Sequence, residues 1–213
     1  MFKKLGLVAV AAASIACEKT GEVKFELAIG NANDRTADVT FAAETQVFTM
    51  ANVIVILDKV VLKGDGEAVI IDTPTPFRFD ALDELELEVE VAEGNYTSLE
   101  VTLGVADAVT AAAAGEENIL GRSFHLEGDL NGVGIVTYAP AGQTIIFNAA
   151  ITVENGKVIV PEIIIDLQKL VEGVDYALAE NVDGELALTE DNAIDQTPIV
   201  SGNVVDAWTL IIE

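Results

Sequence analysis

Asp83 to Val91 read DELELEVEV, with Leu85, Leu87, Val89 and Val91 at alternate positions and Glu84, Glu86, Glu88 and Glu90 between them. A period of two sends the aliphatic and acidic sets to opposite faces of an extended segment, as in a strand with one buried face and one wet face. The rest of the chain repeats the theme less cleanly. Val53–Leu62 is a long β-branched run, followed by Gly64-Asp65-Gly66 and then Ala68–Ile71, which reads as a hairpin with a glycine turn. Asn155-Gly156 divides Ile145–Val153 from Lys157–Ile165 and is the strongest hairpin signal in the chain. Asn131-Gly132 separates Phe124–Leu130 from Val133–Tyr138. Tyr96–Val105 is entered through Glu93-Gly94-Asn95, and Glu185–Leu188 and Ala207–Ile212 read as extended.

Helical signals are short. Ala106–Ala114 is alanine-rich and closed by Gly115, and Asp166 is placed to cap a turn or two ended by Gly173. Thr197-Pro198 reads as a cap followed by a first-turn proline. The expected fold is all-β: an antiparallel β-sandwich of about 10–12 strands with one to three short helices. The expected core takes Val53, Val55, Leu57, Leu85, Leu87, Val89, Leu99, Val101, Leu103, Ile163 and Ile165. Residues 17–213 read as one sandwich domain, with a soft boundary at 106–118 where the composition turns to Ala, Gly and Glu.

Charge narrows the range of partners. With 36 Asp and Glu against 11 Lys and Arg, the 213-residue chain carries −25, yet 51% of its residues are hydrophobic. A chain this apolar buries a core in spite of its charge. No nucleic acid partner is expected, because nucleic acids need a basic footprint. One Cys and one His leave no material for a disulfide framework or a Cys/His zinc site.

The N-terminus supplies an address. Residues 1–17 read MFKKLGLVAVAAASIAC, with Lys3 and Lys4 ahead of an apolar stretch from Leu5 to Ala13, and small residues Ser14 and Ala16 before Cys17. The stretch is too short to span about 30 Å of hydrocarbon, and its layout is that of an export signal. It resembles a bacterial lipoprotein signal, which implies removal of residues 1–16 and lipidation of Cys17. That removal takes away two lysines and no acid, moving the charge from −25 to −27. Lipid chains on Cys17 would make the membrane the first partner of the protein.

Chemistry-bearing residues are few apart from the acids. Ser123 and His125 lie two residues apart on one strand face, about 7 Å by strand rise. A hydroxyl nucleophile and its base must approach to about 3 Å, so the pair is no catalytic couple, and His125 is expected as a half-exposed strand residue. The chain carries neither a glycine-rich phosphate loop nor a G-x-S-x-G elbow, and it is read as non-enzymatic. Candidate calcium ligands are the row Glu84, Glu86, Glu88 and Glu90, and the loop acids Asp183 and Glu185 with Glu190 and Asp191. Neighbours in the row stand about 6.5–7 Å apart, so a second strand or loop would have to complete any oxygen-rich site. The rival reading is a solvated acidic face, which also blunts a sheet edge.

Phe79-Asp80-Ala81-Leu82 and Glu93-Gly94-Asn95-Tyr96-Thr97-Ser98-Leu99 resemble the outline of bacterial extracytoplasmic β-sandwich lipoproteins. The C-terminal third is similar to the periplasmic copper-binding proteins of methanobactin operons. The residues that carry this likeness are Ile165-Asp166-Leu167, Gly173-Val174-Asp175, Asp191-Asn192 and Asn203-Val204-Val205-Asp206-Ala207-Trp208. That second resemblance implies copper handled through histidine and an oxidised tryptophan, here His125 and Trp208. The expected function is therefore an exported, lipid-anchored cell-envelope protein, at the outer membrane or the periplasmic face. It would act as a non-catalytic binding or surface-assembly module, with calcium as a candidate cofactor and an extracellular or periplasmic protein or polymer as partner. The alternatives are a periplasmic copper-binding protein and a purely structural acidic envelope protein.

Overall fold

The computed structural model describes residues 7–8, 20–29, 36–41, 44–66, 68–72, 77–79, 85–114, 119–139, 142–182, 185–189 and 191–212. The fold is all-β and sandwich-like, built from three sheets around a shared core. The first sheet runs in the order β1 (Leu7–Val8), β8 (Leu85–Ala92), β2 (Thr20–Ile29), β14 (Pro161–Ile165) and β17 (Trp208–Ile212), with β13 (Val158–Ile159) also beside β2. The second runs β15 (Glu180–Val182), β16 (Glu185–Leu188), β11 (Val133–Ala139), β10 (Phe124–Leu130), β4 (Glu44–Val55) and β3 (Thr36–Phe41), and β7 (Phe77–Phe79) joins the same edge of the sheet by pairing with β4. The third is β12 (Thr144–Val153), β9 (Gly94–Leu103), β5 (Leu57–Gly64) and β6 (Val69–Asp72). Strand count exceeds the expectation because the sheets are finished by β1, β7, β13 and β15, pieces of two or three residues too short to show a period in sequence.

Most pairings are antiparallel, but β2 takes β14 and β13 in parallel, and β11 takes β16 in parallel. This overturns the hairpin expected at Asn155-Gly156. Past the turn, the chain does not double back on β12, which pairs with β9. Instead Glu22 N–H donates to Lys157 O at 2.9 Å and Gly156 N–H donates to Thr20 O at 3.0 Å, so β2 captures the returning segment. Gly21 allows the close approach: a Cβ there would lie 2.6 Å from the Glu154 carbonyl oxygen. A two-residue turn signal sets a reversal of direction, and the partner strand is chosen by what lies alongside. Asn131-Gly132 behaves as expected, with φ of +57° and +84° joining β10 to β11.

The run Val53–Leu62 is two strands. At Ile56 the chain leaves the second sheet and enters the third, with Ile56 N–H donating to Ser123 O and Ile56 O accepting from Gly104 N–H, both at 2.8 Å. Residues 52–57 are all buried, so the stretch shows no alternation, as a strand covered on both faces requires. Every expected core residue among those whose side chains are described is at most 6% exposed: Val53, Val55, Leu57, Leu99, Val101, Leu103, Ile163 and Ile165. The side chains of Leu85, Leu87 and Val89 lie outside the description. One contiguous cluster takes Phe48 and Val60 from before segment 106–118 and Phe124 and Ile163 from after it.

Three short helices complete the described chain. α1 (Ala108–Ala114) follows Asp107, whose carboxylate accepts from Thr110 N–H at 2.7 Å. α2 (Leu167–Val171) is capped by Asp166 as its sequence predicts. In α3 (Thr197–Asp206), Thr197 is not the cap; its φ of −52° and ψ of −45° are helical, because the turn Ile194–Gln196 feeds straight into the helix. Gln196 then has no capping bond of its own, and its side chain accepts from Asp175 N–H at 2.8 Å.

At the arch from β8 to β9, buried Tyr96 donates its hydroxyl to Ala92 O at 2.9 Å, tying the crossing between the first and third sheets. Gly128 sits at a register shift between β10 and β4, where a Cβ would penetrate the Phe48 ring. Gly128→Ala is therefore expected to cost about 2–3 kcal/mol, as overpacking does, against about 1 kcal/mol for Tyr96→Phe, which removes one hydrogen bond. Urea unfolding of both variants checks the order.

Candidate binding face

The alternation that buries Val91, Val23, Ile163 and Ile165 puts charged positions on the other face of the first sheet, beside Ile164 and Ile211. Glu90 is exposed, and Glu22, Lys24 and Glu162 are partly so. The register aligns Glu90 with Glu22, Glu88 with Lys24 and Glu86 with Glu26 across β8 and β2. Glu26 in turn aligns with Glu162 on β14. Three adjacent strands therefore bring Glu86, Glu26 and Glu162 into one cross-strand row, and a parallel row pairs Glu90 with Glu22. Positions directly opposite lie about 4.5–5.5 Å apart, where like charges oppose sheet formation. Lys24 is the single basic residue at these aligned positions. Glu22 and Glu26 carry a period-two signal in Gly21–Leu27, whereas Glu162 precedes three isoleucines without alternation, and only strand pairing brings them into line with the β8 row. Glu84 lies outside the described residues.

Several other acids are engaged locally. Asp191 stands 3.9 Å from Arg122. Its neighbour Asn192 accepts from Thr189 N–H and donates to Ala187 O, both at 2.8 Å, so the loop holds its own backbone. Asp129 accepts from Gly132 N–H at 2.7 Å in the β10–β11 turn. Hydrogen bonds from the backbone and then the hydroxyl of Thr110 hold the Asp107 carboxyl below its usual range. Glu185 begins β16 opposite Val182, and Asp183 and Glu190 lie outside the described residues. Among the described residues no group of three or more His, Cys, Asp or Glu stands together in a way that could hold a metal ion.

His125 is 1% exposed, not half-exposed as expected, because β10 is an inner strand flanked by β4 and β11. It is aligned with Ile54 and Tyr138. Its neighbours Phe124 and Leu126 belong to the main core together with Trp208, so strand alternation turns His125 to the other face of the sheet. Trp208 sits on β17 in the first sheet, 6% exposed, and its indole N–H meets no acceptor among the described residues. The structure thus places His125 and Trp208 in different layers. Ser123 donates to Gly104 O at 2.6 Å and accepts from Gly142 N–H at 3.0 Å, which makes it a brace between loops. Cys17 lies outside the described residues. No described helix is long and apolar enough to cross a membrane.

Comparison with protein-family models, curated proteins and solved structures finds no match to this chain.

Among the described core residues, burial strongly perturbs Tyr176. Tyr176 is 3% exposed, stacks on Phe48 with ring centroids 6.3 Å apart, and has its hydroxyl pushed up to about 12 by burial, with the Thr137 hydroxyl opposing the shift. A folded-state value above the ordinary value of about 10 means that the neutral phenol is favoured by folding. Its contribution is complete below about pH 10 and is lost as pH rises toward 12, on the order of 2–3 kcal/mol. Denaturant titrations near neutrality and near pH 11.5 should show that loss in the parent chain, and Tyr176→Phe should lack most of it.

Proposed function

We propose that the protein is an exported, lipid-anchored envelope component that works as a non-catalytic binding or surface-assembly module. Its acidic sheet face would take up divalent cations or the cationic groups of a protein or polymer. The observation that carries the reading is the alignment of Glu86, Glu26 and Glu162 over three adjacent strands, with Glu90 opposite Glu22 beside it. Such an alignment works against sheet pairing unless positive charge arrives from outside, since each like-charge pair is unfavourable by up to about 1 kcal/mol. Asp107, Asp129, Asp166 and Asp175 serve as caps and turn residues, a use distinct from the cross-strand register of the first-sheet glutamates. The bracing of Ser123 and the burial of His125 support a role without nucleophilic chemistry.

Thermal unfolding at constant ionic strength tests the face. Micromolar calcium is expected to raise the midpoint by several degrees, since a ligand at a hundredfold excess over its Kd stabilises the folded state by about 2.7 kcal/mol. The response should vanish in Glu26→Gln/Glu86→Gln. An equal response to any salt would instead mean a solvated face and a purely structural protein. The anchor has a separate test: Cys17→Ala should release the chain from the membrane fraction, and retention there would count against lipidation.

A further inference from the structure

Each of the three sheets ends in edge strands, where unpaired N–H and C=O groups can template another strand. Several edges are closed by recognisable means. Strands β17, β15 and β6 have only five, three and four residues. The ten-residue β12 breaks its register between Asn148 and Ile151. The β8 edge carries the glutamate row, which repels a second copy of itself, and is also paired with Leu7–Val8.

Among the described residues, the edge at β3 has none of these. It runs six residues in unbroken register with β4, from Thr36 opposite Thr49 to Phe41 opposite Glu44, and Asp38 is its one charged residue. What it has is Gln168. The side-chain amide of Gln168 accepts from Asp38 N–H at 2.9 Å and donates to Asp38 O at 3.0 Å. Both backbone groups of Asp38 therefore point away from β4, and in an antiparallel ladder the alternate positions Thr36 and Thr40 turn outward with it. One glutamine side chain thus makes the pair of bonds that a neighbouring strand would make at the middle of the edge.

Gln168 is held there firmly. Leu167, Leu170 and Val171 on either side of it are buried in the core, and Asp166 caps the helix. Asn203 donates to Leu170 O at 3.1 Å and Glu172 O at 2.7 Å, fixing the end of α2 to α3.

We propose that Gln168 is a guard on this edge, occupying the Asp38 backbone groups that a second copy of the chain would otherwise pair with, β3 against β3. The second copy is the fitting occupant because an antiparallel pairing that sets Asp38 against Thr40 keeps the two carboxylates off each other. Nothing in Thr36–Phe41 then repels its own image, unlike the β8 edge.

The test is sedimentation velocity of the full chain in a non-ionic detergent over a concentration series, with hydrogen exchange at the Asp38 amide. The parent chain is expected to sediment as one species, while Gln168→Ala shows concentration-dependent dimers and roughly tenfold faster exchange at Asp38, as the loss of a local protecting bond implies. Gln168→Glu keeps the acceptor and loses the donor, so it should fall between the two. Adding Asp38→Pro to Gln168→Ala removes the outward N–H and should restore the single species. The proposal is overturned if Gln168→Ala, with parental circular dichroism, sediments like the parent at every concentration. It is equally overturned if the parent already forms the dimer that Asp38→Pro abolishes. Should Gln168→Ala not fold, Gln168→Glu decides by the same two readouts.

Discussion

The crossing at Ile56 joins the second and third sheets, and much of the core is built around it. A chain passing from one sheet to another must satisfy its backbone at the crossing, because a buried unpaired N–H or C=O is costly. Here the carbonyl of Ser123 and the amide of Gly104 take the two free groups of Ile56, and Ser123 then braces Gly104 and Gly142 through its hydroxyl. The crossing lies in a stretch, residues 52–57, that is buried without interruption. The main core follows from that point: β4 contributes Phe48, Val53 and Val55 to it from one sheet, and β5 contributes Val60 and Leu62 from another.

The division of labour between the two acidic residue types is equally physical. Aspartate has a short side chain that reaches its own backbone, and Asp107, Asp129, Asp166 and Asp175 all accept from amides two or three residues ahead. Glutamate is too long for that geometry and stands instead on strands β2, β8 and β14, at alternate positions beside the buried aliphatics. The large negative charge is therefore unevenly felt. Those four aspartates accept from nearby amides, whereas strand register aligns Glu86 with Glu26 and Glu162, and Glu90 with Glu22, with Lys24 as the one basic residue in register.

Strand β8 was legible in sequence from the alternation of Asp83–Val91, whose described end sets exposed Glu90 beside buried Val91. The Val53–Leu62 run was legible as buried but not as two strands, since a fully covered segment has no period to lose at a crossing. Turn chemistry at Asn131-Gly132 was read correctly because both residues take positive φ locally. At Asn155-Gly156 the local geometry was right and the partner wrong, because pairing with β2 depends on residues more than a hundred positions away. The candidate face shows the same divide. Its β8 row is written in adjacent letters, while its partners Glu22, Glu26 and Glu162 come into line only through the register. The burial of His125 likewise depends on the strands that flank it.

The parallel pairing of β2 with β14 has a consequence in time. Glu26 and Glu162 are neighbours in the sheet yet separated by most of the chain, and β17 beyond them lies at the far end of the sequence. A polypeptide that emerges N-terminus first must therefore carry β2 without β14 until residue 165 of 213 has been made. Non-local strand pairings of this kind are slow to form and leave edges open in the interval. Charge at alternate positions along β2 and β8 is well suited to that interval, because it keeps each strand apart from strands of its own kind while the polypeptide is still waiting to close.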